Sequence, residues 1–196
     1  MSTARSLTLA DVALPRAGAL QNLLLILAAS LVTAVAAQLQ IHLPWTPVPL
    51  TGQTFAVMLT GAVLGWRRAF LAQALYLAEG AMGLPVFAGG AAGVASLLGP
   101  TGGYLMSFPL AAATTGWLCE RGWDRHAITM LAAMLAASGV VFACGLAWLA
   151  RFIPASHLLA AGLLPFVPGD VIKATLAALA FPAVWKRLGG MTGGRA

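Results

Sequence analysis

Two residues stand out as able to do chemistry. Asp170 and Lys173 lie three apart in a chain of 196 residues that holds only 5 acidic and 11 basic side chains. At i and i+3 they share a helix face. The apolar run around them reads as a membrane span, where an ionisable group costs roughly 2.5–3.5 kcal/mol at the bilayer centre. Groups kept at that cost face a cavity or each other. One reading is a polar ligand site, with a carboxylate that accepts N–H donors and an ammonium for a carbonyl or carboxylate. The other is an internal ion pair near the interface, with Lys173 snorkelling outward. Glu79, Gln53 and Tyr104 are further candidate ligand groups, and Trp45 and Phe87 candidate aromatic walls. Each also has a plainer role: Glu79 as a helix-end carboxylate meeting interfacial water, Gln53 as a helix cap, the aromatics as interfacial anchors. Tyr76 reads as packing.

Other chemistries are poorly served. A P-loop needs Gly-Lys-Ser/Thr behind a glycine-rich turn, because backbone amides and the lysine hold the phosphates. The only lysines are Lys173 and Lys186, and neither follows a glycine. His42, His126 and His157 fall at span ends on both sides of the membrane, and Ser138-Gly139 lies mid-helix without a histidine at its depth. No catalytic constellation assembles, and no metal site or cofactor is expected. Cys119 and Cys144 sit in apolar runs without metal-type spacing and read as small packing residues.

The elements that must position these residues follow from composition. The chain is 60% hydrophobic and 8% charged, with mean hydropathy +0.89, against about 45–50% and about 25% in a soluble domain. That excludes a water-soluble globule, and disorder and collagen with it. No Asp, Glu, Lys or Arg occurs between Ala17 and Trp66, and Pro and Gly clusters at 42–52, 83–103 and 154–169 divide the apolar stretches. The pattern predicts an all-α membrane protein, a bundle of six transmembrane helices over 20–41, 52–66, 68–82, 103–120, 126–150 and 168–187. The second and third are short for a hydrocarbon core of about 30 Å, which implies tilt or a thin local bilayer. Residues 1–19 and 189–196 read as tails around a membrane domain at 20–188. The small residues Ala34-Val35-Ala36 resemble a signal-peptide cleavage site, but the preceding apolar stretch is too long for one.

Charge placement orients the bundle. Arg5, Arg16, Arg67, Arg68, Arg121, Arg125, Lys186, Arg187 and Arg195 fall at one side and Arg151 at the other, so the positive-inside rule puts both termini in the cytoplasm. The formal charge of +6 is then topology, with a contribution from anionic lipid, and nucleic acid drops out as a partner. Counted from the cytoplasmic anchors at about 1.5 Å per residue, Gln53, Glu79, Tyr104, Asp170 and Lys173 fall in one band of the outer half. Small-x3-small spacings, Ser30-x3-Ala34 on the first helix and Gly61-x3-Gly65 on the second, allow close helix approach. They serve packing inside the bundle or docking of another membrane subunit.

Four motifs occur in order: Pro47-Val48-Pro49-Leu50-Thr51-Gly52-Gln53-Thr54, Gly83-Leu84-Pro85-Val86-Phe87-Ala88-Gly89-Gly90, Gly99-Pro100-Thr101-Gly102-Gly103-Tyr104 and Pro168-Gly169-Asp170-Val171-Ile172-Lys173. From about residue 20 to 188 the chain resembles the BioY family, the biotin-capturing S component of energy-coupling factor transporters. The resemblance implies a six-helix substrate-binding protein of the bacterial cytoplasmic membrane, with biotin as transported ligand and a site near the outer face. It implies a transmembrane coupling protein and two ABC-type ATPases as partners. Asp170 and Lys173 map onto the family's binding residues, with Gln53, Tyr104, Glu79, Thr51, Trp45 and Phe87 as further biotin-binding candidates. Ser30 and Ala34 map onto the face that meets the coupling subunit. Competing readings are a stand-alone transporter or facilitator coupled to ions through Glu79 or Asp170, a membrane enzyme acting on a lipid-like substrate, and a scaffold using Gly61-x3-Gly65.

Overall fold

The computed structural model describes residues 7–15 and 17–192. Nine α-helices occur among the described residues: α1 (Leu9–Ala13), α2 (Ala19–Gln38), α3 (Gln53–Leu64), α4 (Trp66–Ala81), α5 (Val94–Leu98), α6 (Gly102–Cys119), α7 (Ala127–Leu149), α8 (Ala155–Gly162) and α9 (Val167–Thr192). The six expected helices correspond to α2, α3, α4, α6, α7 and α9. The chain is not purely helical, however. Strands β1 (Gln40–Ile41) and β2 (Leu50–Thr51) form an antiparallel ribbon with Gln40 opposite Thr51. Residues 40 and 41 pair with Thr51 and Leu50 across the proline-rich turn instead of continuing the helix, so α2 ends at Gln38 rather than at residue 41. Short helices α5 and α8 lie in segments expected to be irregular. By length and composition, three stretches among the described residues could cross a membrane: Ala19–Gln38, Ala127–Leu149 and Ala155–Leu188, the last running through α8 into α9.

Side-chain placement is inverted relative to a soluble bundle. The inward stripe of α2 is small or polar (Ala29, Ser30, Thr33, Ala34, Ala37), whereas Leu20, Leu24, Leu27, Leu31 and Val35 point out and are exposed. On α9, Ala174, Ala177 and Ala178 are buried while Ile172, Leu176 and Leu179 are exposed. Large apolar residues outside and small ones inside suit helices that meet hydrocarbon and must approach one another closely. The central helix is α6, which packs on α7, α3 and α4. A Cβ on Gly61 would meet the Ala112 carbonyl oxygen at 2.4 Å. This glycine lets α3 and α6 touch backbone to backbone, so it is committed to the interior of the bundle.

One end of the bundle collects charge. Thr8 and Asp11 form a reciprocal cap on α1, and Arg68 pairs with Asp11 at 2.8 Å. The N-terminal tail thus carries a helix packed on α3. Glu120 accepts the Trp66 N–H at 2.9 Å. Between α6 and α7, buried Asp124 accepts from Trp185 Nε1 on α9, and Arg125 stacks on the Trp185 ring with its guanidinium carbon 3.2 Å from the centroid. The opposite end, built from the β1–β2 ribbon, the segment 87–101 and the start of α9, is hollow.

Candidate functional site

A cavity of about 920 Å³ occupies that end, near the upper limit of about 300–1,000 Å³ usual for small-molecule sites. Its walls are largely aromatic and apolar, with Phe87, Leu105, Phe108, Phe142 and Phe166 among the lining residues, and Asp170, Lys173, Thr51, Thr54 and Gln53 as polar groups.

Asp170 stands in the first turn of α9, where the helix dipole favours an anion. Its side chain is 8% exposed and lies 3.6 Å from the Lys173 ammonium. Lys173 does not snorkel outward. Its Nζ donates to the Thr51 carbonyl and to Thr54 Oγ1, both at 3.0 Å. One lysine therefore joins α9 to the start of α3 and to β2, segments some 120 residues distant in sequence. The i, i+3 spacing brings the two charges together as expected, and the ribbon supplies the remaining partners.

Thr51 and Gln53 form a local unit. The Gln53 N–H donates to Thr51 Oγ1 at 3.2 Å, and that hydroxyl donates to Gln53 Oε1 at 3.0 Å. Gln53 Nε2 donates to the Tyr76 hydroxyl at 2.6 Å, which in turn donates to the Val86 carbonyl at 3.0 Å. Gln53 thus begins α3, as a capping residue would, and also lines the cavity. Tyr76 does more than pack, because its hydroxyl ties α3 to the segment over the cavity. Phe87 is buried, lines the cavity and meets the Tyr76 ring edge-on with centroids 5.5 Å apart. It rests on Gly80, where a Cβ would come within 2.1 Å of its ring. Tyr104 also lines the cavity and donates to the Gly162 carbonyl at 2.8 Å.

Four residues named from the sequence, Glu79, Trp45, Ser30 and Ala34, lie outside the cavity wall. Glu79 shares the depth of the polar band but not its direction: it accepts a hydrogen bond from Ser30 on α2 and is not among the cavity-lining residues. Trp45 is 65% exposed and lies outside the lining, because the proline-rich turn carries it away. Ser30 and Ala34 are buried against the chain's own interior, so in this conformation they are not a face open to another subunit. Their small side chains instead let α2 pack on α4. Thr54 has no mark in the sequence, since a threonine one step into a helix carries no signal of the lysine that it binds.

An apolar helical bundle with a large, mostly apolar cavity at one end and a partly buried ion pair in its wall is the build of a membrane-embedded component for carrying a small molecule. Comparison with known proteins narrows that class. The profile of the BioY family matches residues 5–190, and the chain belongs to the BioY family. It is similar to the probable biotin transporter BioY of Pyrococcus horikoshii, 41% identical over 160 residues that span 82% of this chain and 91% of the relative. The biotin transporter BioY of Rhizobium etli is 38% identical over 164 residues, covering 80% and 88%. A solved structure, the S-component for biotin from an ECF-type ABC transporter, superposes with a TM-score of 0.74 at 27% identity, covering 85% of this chain and 92% of that one. These are transport proteins and not enzymes.

Proposed function

We propose that this chain captures biotin in the cavity beside Asp170 and Lys173 and delivers it across the bacterial cytoplasmic membrane. The observation that carries this reading is the make-up of the cavity wall: aromatic and apolar over most of its surface, with a carboxylate–ammonium pair whose ammonium is held on one hydroxyl and one carbonyl. Biotin has matching parts. Its ureido ring offers two N–H donors and a carbonyl, its bicycle and thioether suit aromatic walls, and its tail ends in a carboxylate. The names of the relatives support carrying this ligand over to the chain.

In this reading α2, α3, α4, α6, α7 and α9 cross the membrane. The end that carries Arg68, Glu120 and Asp124 lies in the cytoplasm with both termini, and the cavity opens outward. A rise of about 1.5 Å per residue makes α3 about 18 Å long and α4 about 24 Å, so the bilayer thins around them. Energy comes from a transmembrane coupling protein and two ABC ATPases, in keeping with a sequence that has no Gly-Lys-Ser/Thr. The segment 83–101 and the β1–β2 ribbon cover the ligand, since open water would compete for each hydrogen bond.

The test is equilibrium binding of biotin to the purified chain in detergent, beside Asp170→Asn and Lys173→Ala. Nanomolar to low-micromolar binding by the wild type, lost in folded variants, is the expected result. A well-folded wild-type chain that does not bind biotin refutes the reading. Uptake by cells with and without the ATPases separates an energised capture component from a stand-alone transporter: the first requires them.

A further inference from the structure

Gln40 differs from the other polar groups of the cavity wall. It stands directly opposite Thr51 in the β1–β2 ribbon, and directly opposed residues of an antiparallel pair project their side chains from the same face. It lines the cavity together with Thr51, the residue whose carbonyl holds Lys173. Its side-chain oxygen Oε1 is shut off from solvent and has no hydrogen-bond partner among the described residues. Gln53 and Tyr104 are already engaged. Gln53 receives from Thr51 and donates to Tyr76, and the Tyr104 hydroxyl donates to Gly162.

The Gln40 amide is also confined. A Cβ on Gly89 would lie 2.5 Å from Gln40 Nε2, and Gly89 has a φ of +67°. Glycine there permits the left-handed turn and leaves space for the amide beneath it. A buried acceptor without a donor is costly, and a ligand that brings an N–H removes that cost.

We infer that Gln40 Oε1 is the second acceptor for the ureido ring of biotin, taking one N–H while Asp170 takes the other and Lys173 donates to the ring carbonyl. The inference rests on the biotin reading above. A cyclic urea presents two donors and one acceptor along one edge, and full satisfaction requires two acceptors and one donor. Asp170, Gln40 and Lys173 are that set. Gln40 then serves as a specificity-determining residue, favouring a ureido ring over rings that lack one N–H.

The experiment measures biotin binding to the wild type and to Gln40→Met, which keeps side-chain length without the acceptor. Gln40→Leu is the second variant, and thermal unfolding checks that each is folded. The competitors are the two lactam analogues in which one or the other ureido N–H is replaced by CH2. The expected result is a loss of about tenfold or more for biotin. For one lactam the wild type and Gln40→Met should bind within about twofold of each other, and for the other the loss should persist. Equal biotin affinity of the wild type and both Gln40 variants overturns the inference while leaving the biotin reading intact. An equal loss against biotin and both lactams also overturns it, because Gln40 would then act only on the shape of the site. If neither lactam competes, the biotin comparison decides alone. A wild-type chain that does not bind biotin overturns the functional reading itself, and this inference with it.

Discussion

Replacing Lys173 by Met should destabilise the empty chain as well as abolish binding. The ammonium makes two hydrogen bonds of 3.0 Å and an ion pair at 3.6 Å to a carboxylate whose side chain is 8% exposed. Removing one partner of a fully enclosed pair costs about 3–5 kcal/mol, because the other charge is left buried alone. The Lys173 side chain is 24% exposed and its contact with Asp170 is longer than a hydrogen bond. Both features reduce the expected cost to about 2–3 kcal/mol. In a chain of this size each kcal/mol moves the unfolding midpoint by about 2–4 °C, so Lys173→Met should unfold about 4–12 °C lower in detergent. The double variant Asp170→Asn/Lys173→Met removes the stranded charge and should return to within about 1 kcal/mol of wild type. Biotin at about 100 times its Kd should add about 2.7 kcal/mol to the wild type and nothing to either variant. Unchanged stability of Lys173→Met, or a double variant as unstable as the single one, would refute the argument that the pair supports the empty site.

Three other outcomes are expected. Gly80→Ala should force Phe87 off its seat, since the added Cβ would meet the ring at 2.1 Å; biotin affinity should fall about tenfold or more, with a stability loss of about 1–3 kcal/mol in thermal unfolding. Burial pushes the Asp124 carboxyl above its ordinary value, against the opposing pull of Trp185 and Arg125, so the native state gains stability as pH falls through the folded pKa. Asp124→Asn, which keeps an acceptor for Trp185, should therefore lie within about 1 kcal/mol of wild type at pH 7, whereas Asp124→Ala should lose about 2–3 kcal/mol. For Asp11, burial alone would raise the pKa, but the bonds to Arg68 and Thr8 outweigh it and lower the value below 3.8. Its contribution is complete above that ordinary value and is lost as pH falls through the folded pKa. Asp11→Asn should cost about 0.5–1 kcal/mol at pH 7, and in paired melting curves the difference should shrink as pH falls below the ordinary carboxylate range and through the folded pKa.

The legible part of the site and the hidden part differ for a physical reason. Residue counting along an apolar helix gives depth, because the rise per residue is constant. Depth was enough to group Gln53, Tyr104, Asp170 and Lys173, which do line one cavity. It could not give direction around the bundle, and so it grouped Glu79 with them although Glu79 faces Ser30 on α2. The pair Asp170 and Lys173 was readable in both respects, since i, i+3 spacing fixes a shared face and two charges in an apolar run must be accounted for. Gln40 and Thr54 carry no such mark. Their places depend on the pairing of Gln40 with Thr51 across the proline-rich turn, a contact that no helical period encodes, and the same turn swings Trp45 outward. Small-residue spacing has a parallel limit: it shows that something comes close to α2 at Ser30 and Ala34, but not what. That neighbour is α4 of the same chain. Any subunit that docks on α2 without repacking it therefore meets the opposite, outward face, where Leu20, Leu24, Leu27 and Leu31 form a stripe of large apolar side chains. Recognition there must come from shape against those leucines, or from a rotation of α2 that exchanges its two faces.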